Sequence, residues 1–329
     1  MAFRATGGGE PGRGPRFDAP VPPGGYLWWY LDGVSDCGRH AVTVIAFVGS
    51  VFSTYYAWSG RQDPENHVAI NVALYSAGRP RWAMTERGRA ALNRSGASFH
   101  VGPSSLRWDD AGGLTLDFNE IALPFPGAGW LPGRIRGMIR LVPRGVTGTV
   151  FDIDDRGAHR WWPIAPAAEI EVDLAQGGPS WRGHGYLDSN WGVEPLETGF
   201  RRWDWARGRL ADGRTAILYD ASCRSGTRRE LALCIGSDGT IEQRRLPKAW
   251  TLGRGTWGVE RFMHADAQGD ARVVRALEDG PFYTRAIVES RIWGEPVTAM
   301  HETFSGDRFA RPLVKAMLPF RMPRRSGRA

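Results

Sequence analysis

HGYLDSNWG, residues 184 to 192, places a histidine, a tyrosine, an aspartate, an asparagine and a tryptophan between glycines. In a strand, side chains alternate between faces. His184, Tyr186, Asp188 and Asn190 then share one face, and Leu187, Ser189 and Trp191 share the other. One face is therefore polar and ionisable.

The same short-strand pattern runs along the whole chain. Its 43 Gly and 22 Pro separate β-leaning runs such as AVTVIAFVGSVFSTYYAW, GGLTLDFNEIAL, GMIRLVP, AAEIEVDL, RTAILYDA and TRAIVESRIW. Several of these alternate apolar and polar residues, and few windows hold helical spacing for long, so the chain is expected to be mostly β. Helices are expected only at WAMTERGRAALNRS, 82 to 95, and at DRFARPLVKAMLPF, 307 to 320, which Pro312 and Pro319 interrupt. A faint internal echo links Trp29, followed by Asp36, Gly38, Arg39, Ala41 and Val42, with Trp205, followed by Asp212, Gly213, Arg214, Ala216 and Ile217. It suggests a duplicated β unit joined near QGGPS, 176 to 180. The expected division is a Gly/Pro-rich flexible leader over 1–24, β domains over 25–176 and 177–318, and a basic tail over 319–329. Units of that size suit barrels that enclose a ligand.

Charge and cysteine usage narrow the classes. The formal net charge is +7, but Arg311, Lys315, Arg321, Arg324, Arg325 and Arg328 supply six cations in a terminal stretch without Asp or Glu. The remaining 310 residues carry only +1, and all but two of the 42 cations are Arg, so a nucleic-acid surface is not indicated. Cys37, Cys223 and Cys234 form neither a disulfide framework nor a zinc pattern. The longest apolar run, AVTVIAFVGSVF, is shorter than the roughly 20 residues that a spanning helix requires. The first residues lack the apolar stretch of a signal peptide, and a cytoplasmic location is expected.

Fifteen tryptophans are the strongest compositional signal. They serve either as core packing or as the aromatic lining of a cavity, where ring faces suit an apolar ligand or a transient cation. HRWWPIAP, 159 to 166, puts His159 and Trp161 on one strand face, just as HGYLDSNWG puts Tyr186 and Asp188 on one face. If the two strands are neighbours, an acid, a phenol, an imidazole and an indole converge. The competing reading has Asp188 capping a turn and His159 as an ordinary satisfied imidazole. No nucleophile elbow, HExxH motif, phosphate loop or dinucleotide fingerprint is present, and no histidine pair has ligand spacing. Acid–base chemistry without metal or cofactor is expected. DIDD, 152 to 155, is expected to face solvent near a turn.

HRWWPIAPAAEIEVDL, WRGHGYLDSNWGVEPLETGFRRWDWARGRLADGRTAILYD and MHETFSGDRFARPLVKAMLPFRMPR together resemble the carotenoid 1,2-hydratases, the hydroxyneurosporene synthases of photosynthetic bacteria. The resemblance extends from about Gly25 to Arg324. It implies two tandem lipocalin-like antiparallel β-barrel domains with few short helices. It also implies cofactor-independent addition of water to the terminal C1=C2 bond of an acyclic carotene such as neurosporene or lycopene. The family's H-x-W pair matches His159 and Trp161, and its Y-x-D pair matches Tyr186 and Asp188. A wider group sharing these domains often has DHNWG where this chain has DSNWG, so no histidine role transfers to Ser189.

The implied mechanism is protonation of C2, a tertiary cation at C1 and capture by water. In it Asp188 is the donor, which burial must keep protonated against an ordinary carboxyl pKa of about 3.9. Tyr186 is its hydrogen-bond partner, Trp161 a ring face beside the cation, and His159 the group that orients water and takes its proton. Trp191, Trp203, Trp205, Tyr219, Asp204 and Asp220 are the expected substrate-binding tier, with Asp220 a rival acid. The basic, Leu- and Phe-bearing C-terminal segment is expected to attach the protein peripherally to the cytoplasmic side of an anionic membrane. The alternatives are a lipocalin-type carrier of an apolar isoprenoid, which needs no acid, and a cofactor-free isomerase or cyclase, which excludes water from the cation.

Overall fold

Alternation rather than helical periodicity governs the computed structural model, which describes residues 14–76, 80–123, 131–175 and 178–325. In chain order come β1 (Tyr26–Ser35), β2 (Ala41–Val48), α1 (Thr54–Trp58), β3 (Val68–Tyr75), β4 (Arg81–Arg87), β5 (Leu92–Arg94), β6 (Ser98–Val101), β7 (Ser104–Trp108), β8 (Leu114–Ala122), β9 (Gly133–Pro143), β10 (Phe151–Asp152), β11 (His159–Leu174) and β12 (Ser180–Gly192). They are followed by α2 (Leu196–Gly199), β13 (Phe200–Arg209), β14 (Thr215–Cys223), β15 (Arg228–Ile235), β16 (Ile241–Gln243), β17 (Lys248–Arg254), β18 (Glu260–Ala265), β19 (Arg272–Asp279), β20 (Tyr283–Ile292), β21 (Glu295–Ser305), α3 (Gly306–Phe309), α4 (Pro312–Met317) and β22 (Arg324–Arg325). The fold is mostly β, lipocalin-like, with few short helices.

Contacts divide the chain into a unit of Met1–Phe151, His159–Pro195 and Ala316–Ala329 and a unit of Asp152–Ala158 and Leu196–Lys315. The first holds a sheet in the order β22-β4-β3-β2-β1-β12-β11-β9-β8-β7-β6-β5, with β10 on β11. The sheet curls until β4 packs on β8. Inside the curl, Trp29, Leu31, Val44, Ile70, Phe118 and Ile139 belong to one apolar core. β1, β2 and β3 are buried on both faces, so the alternate set of side chains is also withdrawn from solvent. The second unit holds a seven-stranded sheet, β16-β15-β14-β13-β21-β20-β19, with the β17–β18 hairpin packed against β13, β20 and β21. The two echoed stretches are the hairpins β1–β2 and β13–β14.

The expected division at 176/177 falls on residues outside the described ones, and contacts carry the first unit through Pro195. Strand β12 pairs with β1 on one side and β11 on the other, and this holds the chain through Pro195 in the first unit. Of the expected leader, residues 1–13 lie outside the described residues, whereas 14–24 are placed. Phe17 is fully buried edge-on to Trp29, 4.9 Å between centroids, because its ring joins the core.

The helix expected over 82–95 is instead β4, a 3-10 turn over Arg89–Ala91, and β5. Pairing of β4 with β3 overrides the local helix preference, since it buries Ala83 and Met84 on opposite faces. The C-terminal helix forms as two pieces, α3 and α4, with Pro312 opening the second. Within β11 the register shifts between Trp162 and Ala165 and again between Ala165 and Ala168, where Pro163 and Pro166 lack a donor for the ladder. The described part of the basic tail docks on the first sheet. Arg324 and Arg325 pair in parallel with Glu86 and Arg87, Arg324 makes an ion pair with Glu86, and Arg321 lies 4.2 Å over the Trp82 ring.

The curl is closed by charge. Arg87 on β4 donates to both Glu120 oxygens on β8, at 3.1 and 2.8 Å, and Ser104 Oγ adds a bond of 2.7 Å. Burial pushes the Glu120 carboxyl above its usual range, and Arg87 and Ser104 pull against that. Arg87→Met leaves the carboxylate buried without its cation, at a cost of about 3–5 kcal/mol near pH 8. The loss is smaller at pH 5 than at pH 8, because a carboxyl whose pKa burial raises takes up a proton more readily as pH falls. Urea titrations at both pH values measure this; a pH-independent loss under about 1 kcal/mol contradicts it.

Candidate active site

The polar face read from residues 184–192 is assembled by register. Tyr30 lies opposite Asp188, Asp32 opposite Tyr186, Trp28 opposite Asn190 and Tyr26 opposite Gly192 across β1 and β12. On the other side of β12, Trp161 lies opposite Asn190 and His159 opposite Gly192. Residues directly opposite one another share a face, so all of these side chains stand on the face turned away from the apolar core. They are buried there: Asp188 is 4% exposed, and Asp32, His159, Trp161 and Tyr186 are fully buried.

Asp188 is the hub. Its Oδ2 accepts from the Trp161 indole at 2.9 Å and the Tyr186 hydroxyl at 2.8 Å, while Asn190 approaches Oδ1 at 3.3 Å. With two donors on Oδ2, the proton of a neutral acid belongs on Oδ1. Three of the four expected catalytic residues therefore meet at one carboxyl group. The fourth, His159, accepts or donates at Tyr26 OH, 2.9 Å, and faces Glu194 at 3.3 Å. It lies one paired position beyond Trp161, toward the end of β12. Gly192 makes that contact possible. A Cβ there would lie 2.6 Å from the Tyr26 ring and 2.8 Å from His159 Nδ1, so only glycine lets the two rings meet across the middle strand.

Aromatic side chains flank the carboxyl group on the same face. Tyr26 stacks on Trp28 at 4.8 Å, Trp28 meets Phe47 at 6.2 Å and Phe52 at 6.3 Å, and Phe151 lies 5.5 Å from Trp161. Tyr30 meets Tyr186 edge-on at 6.1 Å. Sequence reading placed Asn190 here but missed Tyr26, Tyr30 and Asp32 on this face and Glu194 beside His159. A visible signal was the repeat of Tyr-Leu-Asp at 30–32 and 186–188.

The expected substrate-binding tier is dispersed. Trp191 falls on the opposite face, paired with Leu27 and packed on the apolar core, because it is one residue out of phase with Asp188. Trp203, Trp205 and Tyr219 are buried in the second sheet, where Trp203 stacks on Phe304 at 4.2 Å. Asp204 and Asp220 lie opposite each other on the other face of that sheet. Asp204 is held by Arg202 at 2.6 and 2.9 Å and by Thr303 at 2.6 Å. Asp220 receives both Arg228 nitrogens and His264 Nε2, the last at 2.9 Å. Asp154 of DIDD is buried and caps its turn by accepting from the Arg156 N–H, so it does not face solvent.

This ion pairing removes Asp220 as a rival proton donor. Burial raises its pKa, but Arg228 and His264 outweigh that and hold it at about 2. Its folded-state value lies below the ordinary 3.8, so its stabilisation is present above that pH and is lost as pH falls toward about 2. Asp220→Asn lacks this dependence. Denaturant titrations should therefore show wild-type stability falling more steeply than the variant's as pH drops from about 4 to about 2; parallel curves would contradict the pairing.

The family described as "Carotenoid hydratase CrtC" matches residues 44–329. An acyclic carotenoid 1,2-hydratase of Thiocapsa roseopersicina is 50% identical over 325 residues, covering 98% of this chain and 78% of that protein. Its counterpart from Rubrivivax gelatinosus is 47% identical over 317 residues, covering 95% and 76%. Among solved structures, a putative AttH from Nitrosomonas europaea shares the fold at TM-score 0.56 and 13% identity, covering 85% of this chain and 92% of its own. Kievitone hydratase from Nectria haematococca does so at TM-score 0.51 and 12% identity, covering 93% and 98%.

Proposed function

The chain belongs to the carotenoid hydratase family, and from that premise we propose that its buried polar face adds water across the terminal C1=C2 bond of an acyclic carotene. The protein is a carotenoid 1,2-hydratase, a hydro-lyase. The carboxyl group of Asp188, gripped on one oxygen by Trp161 and Tyr186, is the observation that carries the mechanism.

In this proposal Asp188 gives the proton on Oδ1 to C2, and the electron pair of the double bond becomes the new C–H bond. C1 is left as a tertiary cation, favoured by the aromatic faces around it. A lone pair of water closes on C1, and loss of one proton leaves the tertiary alcohol. The oxidation state of the whole molecule is unchanged, so the reaction itself requires no electron carrier. Tyr186 and Trp161 hold the carboxyl group in place through Oδ2. An apolar end group lying against Asp188 displaces the water that would solvate its charge, which keeps the acid neutral for the transfer. His159 acts through Tyr26, fixing the ring that stacks on Trp28. The expected water-orienting role requires His159 to reach C1 from four residues along the strand face.

Anaerobic incubation with lycopene in liposomes and H₂¹⁸O, followed by mass spectrometry, tests this reading. Wild type should yield a labelled hydroxyl, and Asp188→Asn should lower the rate by about 10³-fold or more, within the range of a lost general acid. A wild type that incorporates no oxygen overturns the hydratase reading and leaves carrier or isomerase.

A carotene dissolves in lipid, so the enzyme must reach a bilayer. Among the described residues no helix is long and apolar enough to cross one. We assign peripheral attachment to the C-terminal segment, where Leu313 and Phe320 are 74% and 84% exposed. Its cations contribute less than their number suggests, since Lys315 pairs with Glu197 and Arg324 with Glu86. The double variant Leu313→Ser/Phe320→Ser should lose co-flotation with anionic vesicles while keeping wild-type turnover of detergent-dispersed substrate. Undiminished flotation contradicts the assignment.

A further inference from the structure

Tyr-Leu-Asp occurs twice on the buried polar face, and the two copies face each other. Tyr30-Leu31-Asp32 of β1 runs antiparallel to Tyr186-Leu187-Asp188 of β12, each tyrosine opposite the other copy's aspartate. Each tyrosine bonds the aspartate two residues ahead: Tyr186 OH to Asp188 at 2.8 Å, and Tyr30 OH to Asp32 at 3.0 Å. The pair of motifs is thus related by a local twofold through Leu31 and Leu187. Asp32 is fully buried, on the same face as Asp188 and two positions along the ladder. General cross-strand geometry sets such diagonal neighbours about 7–8 Å apart. On the other side of Asp32, its opposite residue on β2 is Thr43. The Thr43 hydroxyl is buried without a hydrogen-bond partner in the protein.

We propose that Asp32 is a second catalytic carboxylate, which takes the proton of the attacking water while Asp188 supplies the proton to the alkene. The inference rests on the hydratase reading and adds to it the missing base. Hydration needs an acid at C2 and a base at C1, one bond apart, and a pair of carboxylates on adjacent strands can straddle that bond. Water held between Thr43 Oγ1 and the Asp32 carboxylate is poised at C1. As its oxygen bonds to C1, one proton passes to Asp32, while Asp188 is left ionised by its transfer to C2. Moving a proton from Asp32 back to Asp188 restores the resting pair, so atoms and charge balance over the cycle. The duplication also explains how two like residues take unlike roles. Ionising one carboxyl raises the cost of ionising its neighbour, so one holds a proton while the other holds charge. The titratable groups of this unit around Asp32 on that face are Tyr30 on its own strand, Tyr186, Asp188 and, beyond them, His184 on β12, and Tyr75 on β3; β2 carries none.

The test uses the full chain with lycopene in liposomes and H₂¹⁸O, and compares kcat, KM and the pH–rate profile of wild type, Asp32→Asn, Asp188→Asn and Thr43→Val. A base must be ionised to act, so the wild-type rate falls toward acid pH through Asp32 and toward alkaline pH through Asp188. Asp32→Asn should lower kcat by about 10²–10³-fold with KM within about threefold, and should abolish the fall toward acid pH while the alkaline fall remains. Thr43→Val, which keeps the shape and removes the hydroxyl, should lower kcat about tenfold at unchanged KM. A kcat for Asp32→Asn within about threefold of wild type, or a reduced kcat with both limbs retained, overturns the proposal. Should Asp32→Asn fail to fold, Thr43→Val decides, and a wild-type kcat in that variant overturns it. Oxygen incorporation by wild type alongside an unaffected Asp32→Asn removes only the role of Asp32, whereas no incorporation by wild type removes the hydratase reading beneath it.

Discussion

The register of β1 against β12 is the constraint on which the rest depends. Opposing residues in an antiparallel ladder share a face, so one alignment sets Tyr30 beside Asp188 and Asp32 beside Tyr186 while Leu31 meets Leu187 in the core. A slip of a single residue would drive two aspartates into the apolar core and expose leucines on the polar face. Such a slip is opposed by every apolar contact of the core face. The hydrophobic side of the sheet therefore does more than stabilise the unit: it specifies the geometry of the chemistry on its reverse.

Sheets with one wet and one dry face are the common way to satisfy alternation. Here β1, β2 and β3 are buried on both sides, and that makes the polar face expensive to build. Its carboxylates are therefore not left bare: Asp188 has an indole and a phenol, and Asp32 has a phenol. A buried polar group that is hydrogen-bonded loses little by leaving water, whereas one without partners loses several kcal/mol, about 2–7 by transfer estimates. The second sheet uses buried aspartates in the opposite sense. Asp204 and Asp220 are neutralised by arginines and serve as structural ion pairs. Residue type alone does not separate these uses; the partner does.

That distinction marks how far the sequence could be read. Strand alternation in HGYLDSNWG placed Tyr186 and Asp188 on one face, and HRWWPIAP supplied the neighbouring strand with Trp161, because both inferences are local. Asp32 escaped notice because its place depends on a strand more than 150 positions away, a pairing that no local period reveals. Asp220 reads as an acid because the residues that hold it are brought up only by tertiary pairing, Arg228 from the neighbouring strand of its hairpin and His264 from 44 positions away. The stretch from 82 to 95 has good helix formers, yet it became strand because β3 offered a partner. The tail reads as a basic segment offered to a membrane, whereas Glu86, His67 and Trp82 draw described arginines of it onto the first sheet. In each case the local signal was sound and a nonlocal contact overrode it.

The first unit is interrupted in sequence. Its edge strand β4 receives a partner, β22, only from residues that follow the whole of Leu196–Lys315. During synthesis the curled sheet is thus assembled with β4 unpaired on one side while the second unit is still being made. An open strand edge is a template for association with other chains. Parallel pairing by Arg324 and Arg325, bolted by the ion pair to Glu86, acts as a late latch that covers the Glu86–Arg87 end of this edge. The interval before the latch arrives is when a nascent chain most needs a chaperone, and overproduced protein is most exposed to aggregation during that same interval.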